Sequence, residues 1–196
     1  MTYLFDEDFN DFYEDPIDFC EINPDNCVFL MVDMQEKFKD VIHDMDSVVK
    51  NASILNKAAE IFNIPLIVTE QSPDKLGETM KDIYLPKKHK LFKKTQFSAI
   101  TDEVKKYLSE LSNPTIILYG IEAHICVLQT VFDVQKWSDN VFLISDATSS
   151  RSLHNKNAAL NMLNNILFIA TTEMLLFSFL KDAEHKNFKD IAKLVK

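Results

Sequence analysis

The stretch Leu118-Tyr119-Gly120-Ile121-Glu122-Ala123-His124-Ile125-Cys126 decides how the rest of the chain is interpreted. It follows the β-branched apolar run Thr115-Ile116-Ile117-Leu118 and precedes a helical pattern from Cys126 to Trp137, which predicts a strand, a sharp turn and a helix start. Free N–H groups and the positive end of the helix dipole favour a thiolate at Cys126, and the same groups suit an oxyanion. A small buried cysteine without chemistry is the competing interpretation.

Length and composition are typical of one globular domain. The chain has 196 residues, 46% of them hydrophobic, and no apolar run approaches the roughly 20 residues that a membrane helix needs. The acidic N-terminus resembles neither a secretory nor a transit peptide. Cys20, Cys27 and Cys126 show neither CxxC pairing nor metal-finger spacing. We therefore predict free thiols, a cytoplasmic location and no membrane partner.

Negative charge is concentrated at the N-terminus. Residues 1–26 hold nine of the 30 acids and no lysine or arginine, so the remaining 21 acids balance the 21 bases. Because a basic face is missing, no nucleic-acid partner is expected, and the lysines from Lys87 to Lys94 are interpreted as a solvated face. Residues 1–21 form an acidic, aromatic segment with two open interpretations, a flexible tail or a segment that docks its rings on the domain or on another subunit.

Apolar runs that predict buried strands alternate with amphipathic helical patterns. Strands are expected at 27–32, 65–69, 115–118, 141–144 and 167–170. Helices are expected at 48–62, after the capping residue Thr101, at 126–137, at 152–164 and in the C-terminal part. The alternation predicts an α/β fold over residues 22–196, a three-layer, doubly wound, mostly parallel sheet with helices on both faces.

Glycine is nearly absent. Gly77 and Gly120 are the only two, which excludes a P-loop and a GxGxxG fingerprint. Each glycine is therefore expected at a position that needs a positive φ or a close backbone approach.

Polar residues follow the predicted strands where sites form in such sheets, beyond the carboxyl ends. Asp33 follows the first strand, Gln71 the second and Cys126 the central one, while Lys94 precedes the central unit. A carboxylate there can take the thiol proton, a lysine can orient that carboxylate, and the thiolate can attack a carbonyl.

Six motifs in a fixed order carry a resemblance to a known family. They are Phe29-Leu30-Met31-Val32-Asp33-Met34-Gln35-Glu36-Lys37-Phe38, Val68-Thr69-Glu70-Gln71, Lys94-Thr95-Gln96-Phe97-Ser98, Gly120-Ile121-Glu122-Ala123-His124-Ile125-Cys126, Asp146-Ala147-Thr148-Ser149-Ser150-Arg151, and Thr171-Thr172-Glu173 with Phe188-Lys189-Asp190-Ile191. With these motifs the chain resembles the isochorismatase-like (cysteine hydrolase) superfamily, and within it the isochorismatase domain-containing proteins.

The resemblance implies an Asp-Lys-Cys triad of Asp33, Lys94 and Cys126, with Lys93 as the neighbouring alternative to Lys94. It also implies a cis peptide between Ile121 and Glu122, which would aim the N–H groups of Glu122 and Cys126 into one oxyanion hole. The substrate is then a small amide-like or carbonyl compound, cleaved through an acyl-thioenzyme. A scaffold or interaction protein with little turnover is the alternative.

Two departures from the family pattern narrow the activity. Nicotinamidase relatives carry an Asp-x-His metal cluster where this chain has Glu70-Gln71-Ser72-Pro73, so we expect no metal, no other cofactor and no nicotinamidase activity. Isochorismatases proper cleave a vinyl ether without this cysteine, so Cys126 argues against that reaction.

Five further side chains are candidates for contact with the substrate, each with a structural alternative. They are Gln35, Phe38, Gln71, Phe97 and His124. The glutamines orient a polar group or bond to backbone, the phenylalanines wall the pocket or belong to the core, and the histidine contacts substrate or is structural. Arg151 is expected in an ion pair or a subunit interface. The apolar C-terminal region, with Leu175, Leu176, Phe177 and Phe179, predicts a homo-oligomer.

Overall fold

The protein is described by a computed structural model that covers residues 21–136, 138 and 140–196. Its sheet has six strands, namely β1 (Cys27–Val32), β2 (Leu66–Gln71), β3 (Lys90–Lys94), β4 (Thr115–Ile121), β5 (Val141–Ser149) and β6 (Phe168–Ala170). They lie in the order β3-β2-β1-β4-β5-β6, and every neighbouring pair is parallel. The chain thus winds outward in both directions from β1 and β4, which places a crevice beyond their carboxyl ends.

Seven α-helices connect or follow these strands in the described part of the chain. They are α1 (Met45–Phe62), α2 (Pro73–Leu76), α3 (Asp102–Ser109), α4 (Leu128–Val134), α5 (Leu153–Leu163), α6 (Thr172–Leu180) and α7 (Phe188–Leu194). Thr101 caps α3 as predicted, because its side chain accepts the N–H of Val104. The predicted α/β class, with a doubly wound parallel sheet, is confirmed.

Both faces of the sheet are covered, as the alternation along β1 shows. Phe29 and Met31 pack into one core with α1, α6 and α7, while Val28, Leu30 and Val32 pack into a second core with α3, α4 and α5. All six β1 residues are buried, which explains why this strand has a continuous apolar sequence.

Gly120 occupies a position where no other residue fits. Its φ is 141°, and a Cβ added there would lie 2.3 Å from the Val32 carbonyl oxygen on the paired strand β1. The predicted close backbone approach is therefore confirmed. The approach brings the end of β4, and the turn that follows it, directly beside Asp33 at the end of β1.

Two expectations need correction. Strand β3 was not predicted. It lies at the sheet edge with three of its five residues exposed. Some of the lysines interpreted as a solvated face therefore belong to a strand, and one of them, Lys94, is buried. The argument for a homo-oligomer is also wrong in part, because Leu175, Leu176 and Phe179 are buried in the α1-side core, and only Phe177 of that group is exposed.

The two interpretations of the acidic N-terminal segment concern residues that, from 1 to 20, lie outside the described ones. Among the helices of the described residues, none is both long enough and apolar enough to cross a bilayer.

Candidate active site

A buried ion pair joins the ends of two strands. Asp33 follows β1, Lys94 ends β3, and Lys94 Nζ lies 2.6 Å from Asp33 Oδ2 across the intervening strand β2. The Asp33 side chain is 2% exposed, and the Lys94 side chain is 0% exposed. The neighbouring Lys93 is exposed, because successive residues of a strand face opposite sides. The structure therefore brings Lys94, and not Lys93, to Asp33.

Strand β2 supplies two side chains that hold this pair in place. The Thr69 hydroxyl donates to the other carboxylate oxygen, Asp33 Oδ1, over 2.8 Å, and Gln71 Oε1 accepts from Lys94 Nζ over 2.8 Å. Sequence analysis missed Thr69. Its spacing of two from Gln71 puts both side chains on the same face of a strand, and this was the available signal.

Lys94 has no hydrogen left for a substrate. Besides Asp33 and Gln71, its ammonium donates to the carbonyl oxygens of Gln96 and Phe97 at 3.2 and 3.0 Å. An ammonium has three hydrogens, so four acceptors use its full capacity. The lysine is thereby restricted to orienting Asp33 and balancing its charge.

Cys126 lies in a π-helical turn, Ala123–Val127, that precedes α4, and its side chain is buried with 6% of the residue exposed. Burial raises the pKa of its thiol to about 12, and the negative charge of Asp33 together with a hydrogen bond to that carboxylate acts in the same direction. Lys94 lowers this pKa, but by less. This shift opposes the thiolate that the helix start favours, so loss of the thiol proton depends on a nearby base.

The sharp turn before the cysteine is made without a cis bond. No cis peptide occurs among the described residues, and Glu122 instead adopts a left-handed conformation with φ 56° and ψ 59°. This corrects the cis peptide expected between Ile121 and Glu122. The single left-handed residue reverses the chain between β4 and the π turn. The oxyanion hole formed by the N–H groups of Glu122 and Cys126 stays a prediction.

His124 and Arg151 are engaged by protein groups next to this turn. His124 Nδ1 lies 3.0 Å from Ser150 Oγ, and its Nε2 lies 3.2 Å from Asn155 Nδ2. Arg151 Nε lies 2.5 Å from Glu122 Oε1, so the predicted ion pair of Arg151 is confirmed. Both ring nitrogens of His124 thus have partners within the fold, while its contact with substrate stays a prediction.

The remaining candidates divide between the frame of the site and its rim. The Gln35 amide is fully used by backbone, since it donates to the Gln71 and Gly77 carbonyls at 3.0 and 2.6 Å and accepts the Gln71 N–H at 2.8 Å. Phe38 is half-buried against the α1-side core. Phe97, whose carbonyl accepts from Lys94, is 52% exposed. Of these candidates, Phe97 therefore has the aromatic surface that is open to a ligand.

The segment after β2 is organised by hydrogen bonds within the protein. Glu70 is buried, and its Oε1 accepts from the Thr79 N–H and hydroxyl at 2.7 and 2.9 Å. Within the described ranges, no group of three or more His, Cys, Asp or Glu side chains is arranged to hold a metal ion.

Comparison with known proteins places the chain in a family. The isochorismatase domain matches residues 27–174. The chain is similar to isochorismatase domain-containing protein 2 of Danio rerio, with 41% identity over 172 residues that cover 86% of each protein.

Two solved structures share the fold. MAR1 ribonuclease from Caenorhabditis elegans superposes with a TM-score of 0.84 at 35% identity, covering 89% of this chain and 91% of that one. The YcaC gene product of Escherichia coli, an octameric hydrolase of unknown specificity, has a TM-score of 0.75 at 18% identity and covers 88% of each chain. At that identity, the second likeness concerns the fold alone.

Proposed function

Because the chain belongs to the isochorismatase domain family, we propose that it is a cysteine hydrolase of a small amide-like or carbonyl substrate that works without a metal. Its catalytic residues are Asp33, Lys94 and Cys126. The observation that carries this proposal is the buried Asp33–Lys94 pair, whose carboxylate lies close enough to Cys126 to raise the pKa of its thiol.

Proton transfer from the thiol to Asp33 accompanies the attack on the substrate. As Cys126 Sγ bonds to the carbonyl carbon, the carbonyl π electrons move to oxygen, and the N–H groups of Glu122 and Cys126 receive the resulting oxyanion. Collapse re-forms the carbonyl and breaks the C–N bond, and Asp33 returns its proton to the leaving amine. A water then attacks the thioester with Asp33 again as the base, which releases a carboxylic acid and restores the thiol.

The raised thiol pKa makes the carboxylate necessary. With a pKa of about 12, roughly one thiol in 10⁵ is ionised at pH 7, so attack through a preformed thiolate is slow. A base in hydrogen-bond contact removes the proton as the C–S bond forms, and this path does not require the thiolate to be populated. Lys94 balances the charge of Asp33 and holds the carboxylate in place, because its ammonium is itself fixed by Gln71 and two backbone carbonyls.

The test is capture of the acyl-thioenzyme. Small amides and activated esters are incubated with the wild-type protein, and acid-quenched samples are analysed by intact-mass and peptide mass spectrometry. We expect acylation of Cys126 and its loss, together with turnover, in Cys126→Ala. Cys27 is the internal control, because burial also raises its pKa to about 12 while its thiol donates to the Asn23 carbonyl instead of a carboxylate. Equal acylation of Cys27, or turnover by Cys126→Ala, argues against the proposal. The scaffold alternative predicts no adduct and no turnover.

A second candidate function is RNA cleavage, which is favoured by the 35% identity to MAR1 ribonuclease from C. elegans. An open cleft of about 610 Å³ lies beside Lys94 and includes Lys75 and Lys93, two exposed cations suited to phosphates. Incubation of labelled RNA with the wild type and with Lys75→Gln/Lys93→Gln separates the two functions. Ribonuclease activity predicts cleavage that falls with salt and with the double substitution.

We also propose a cytoplasmic homo-oligomer. The location is supported by the free-thiol composition. The association is supported by exposed apolar side chains on both sides of the sheet, Leu153 and Met162 on α5 and Met174 and Phe177 on α6. A solution mass equal to one 22.6 kDa chain at micromolar concentration would contradict the oligomer.

A further inference from the structure

The turn that carries Cys126 contains a buried carboxylate that the proposed reaction does not use. Glu122 is 5% exposed and is the residue whose left-handed conformation reverses the chain before the π turn. A non-glycine residue in that conformation costs about 1 kcal/mol, and a buried carboxylate costs several more unless it is paired. Glycine or asparagine would make the same turn with less strain, so the backbone alone does not explain a glutamate here.

The electrostatic effect of Glu122 on the thiol does not explain it either. Its negative charge raises the pKa of Cys126, which makes the thiol harder to ionise. A residue that opposes ionisation of the nucleophile must contribute to the site in another way, and its contacts show which.

Three contacts connect the nucleophile turn to the segment between β5 and α5 and to the first turn of α5. Arg151 Nε meets Glu122 Oε1 at 2.5 Å, and Ser150 and Asn155 hold the two ring nitrogens of His124 at 3.0 and 3.2 Å. His124 Nδ1 also lies 3.5 Å from Glu122 Oε2, an oxygen with no hydrogen-bond partner among the described residues and no exposed surface. Glu122 directly precedes the turn and His124 is its second residue, so these contacts hold the start of the turn.

A separate hydrogen-bond chain holds the other side of the turn. The Thr130 hydroxyl donates to the Cys126 carbonyl over 2.6 Å and accepts the N–H of Ala99 over 2.8 Å. That chain leads to the loop whose carbonyls hold Lys94. Thr130 therefore fixes the turn on the side of Lys94. On the side of β5, Glu122 supplies the ion pair that fixes it.

We propose that Glu122 is a positioning residue, whose buried carboxylate, paired with Arg151, ties the nucleophile turn to the β5–α5 segment and fixes the distance from Cys126 to Asp33. The inference rests on the proposed function insofar as it assigns a catalytic consequence to that distance. The tie itself is a property of the folded chain and can be tested without a substrate.

The first experiment measures hydrogen exchange of the full chain by mass spectrometry for the wild type, Glu122→Gln, Glu122→Gly and Arg151→Gln. The glycine variant keeps the left-handed turn and removes the carboxylate, so it separates the two roles of the residue. We expect peptides spanning 120–128 to exchange at least ten-fold faster in all three variants, with peptides of α1 unchanged. Lys136→Gln is the matched control, since it removes an exposed ion pair with Asp133 on α4. Unchanged exchange in Glu122→Gly, or equal acceleration throughout the chain, overturns the proposal.

The second experiment compares turnover with alkylation of the thiol. In Glu122→Gln and Glu122→Gly we expect kcat to fall ten- to 100-fold with KM within about three-fold, while iodoacetamide labels Cys126 faster at pH 9 because a nearby negative charge is gone. Arg151→Lys should restore part of the kcat that Arg151→Gln loses. Because global unfolding would also expose the thiol and speed its labelling, the buried Cys27 is the control, and its labelling rate should stay that of the wild type. If kcat is unchanged in Glu122→Gly, the catalytic part is wrong. If Cys126→Ala turns over like the wild type, the proposed function fails, and the exchange data still decide the tie.

Discussion

The Lys94→Met substitution tests the charge balance of the site most directly. It replaces the ammonium with a side chain of similar length and leaves the Asp33 carboxylate, 2% exposed, without its counter-charge. Breaking a buried ion pair on one side costs about 3–5 kcal/mol, because the remaining charge stays desolvated. With a urea m-value of about 2 kcal/mol/M, the unfolding midpoint should fall by roughly 1.5–2.5 M. Denaturation followed by circular dichroism measures this shift.

Two further variants make the experiment decisive. Lys39→Met is the same substitution in the exposed pair with Asp82, whose side chains are 48% and 60% exposed, and its midpoint should stay near that of the wild type. Adding Asp33→Asn to Lys94→Met removes the unpaired charge, so the double variant should be more stable than Lys94→Met alone. If Lys94→Met unfolds within about 0.5 M urea of Lys39→Met, the buried pair does not hold the site together and the reasoning is refuted.

Three other substitutions or measurements follow from the same structure. The iodoacetamide labelling rate of Cys126 should keep rising beyond pH 10, because burial and Asp33 raise the thiol pKa to about 12. Asp33→Asn should lower that pKa and speed labelling at pH 9. A plateau of the labelling rate below pH 8 in the wild type would contradict this expectation. Gly120→Ala should cost several kcal/mol in urea unfolding, since its Cβ meets backbone at 2.3 Å. Gly77→Ala, with its nearest contact at 3.5 Å, should cost about 1–3 kcal/mol for its backbone conformation alone. Equal costs would refute the close approach. Thr69→Val should lower the free energy of unfolding by about 1–3 kcal/mol, because it leaves Asp33 Oδ1 without its hydroxyl donor. It should also lower kcat more than it raises KM. Thr115→Val on β4 controls for the change of side chain.

Much of the fold could be predicted because its central strands are buried on both faces. In a chain with alternating helical patterns, a short continuous apolar run such as Cys27–Val32 indicates a strand of a parallel sheet covered on both sides. Strand β3 has the opposite character. Three of its five residues are lysines, and as an edge strand it pairs only with β2. Because most of the strand is exposed, its sequence lacks the continuous apolar run that indicates a buried strand.

The positions of the candidate site residues could also be predicted, but not their electrostatic state. Because the parallel strands end at one edge of the sheet, the sequence predicted that Asp33 and Cys126 lie there, and the family motif identified Lys94 as the third residue. The pKa of Cys126 depends on how deeply the thiol is buried and on how close it lies to Asp33, and neither is encoded locally. Helix position predicted a lowered pKa, and desolvation reversed the sign. Thr69 was missed for a related reason, because an isolated threonine in a buried strand does not reveal which acceptor it will meet.

The left-handed turn at Glu122 has a consequence for how the protein can be stabilised. Seven described residues other than glycine have a positive φ, namely Asp33, Asp44, Asn63, Ser72, Asn113, Glu122 and Lys181. At Lys181, which ends α6, glycine would relieve about 1 kcal/mol of backbone strain without touching the site. The same replacement at Asp33 or Glu122 would relax the backbone while deleting the proposed base or its positioning partner. A thermostable variant can therefore be sought at the helix ends. In an unbiased screen for stability, glycine should not be gained at Asp33 or Glu122, because loss of the ion pair costs more than the relieved strain returns.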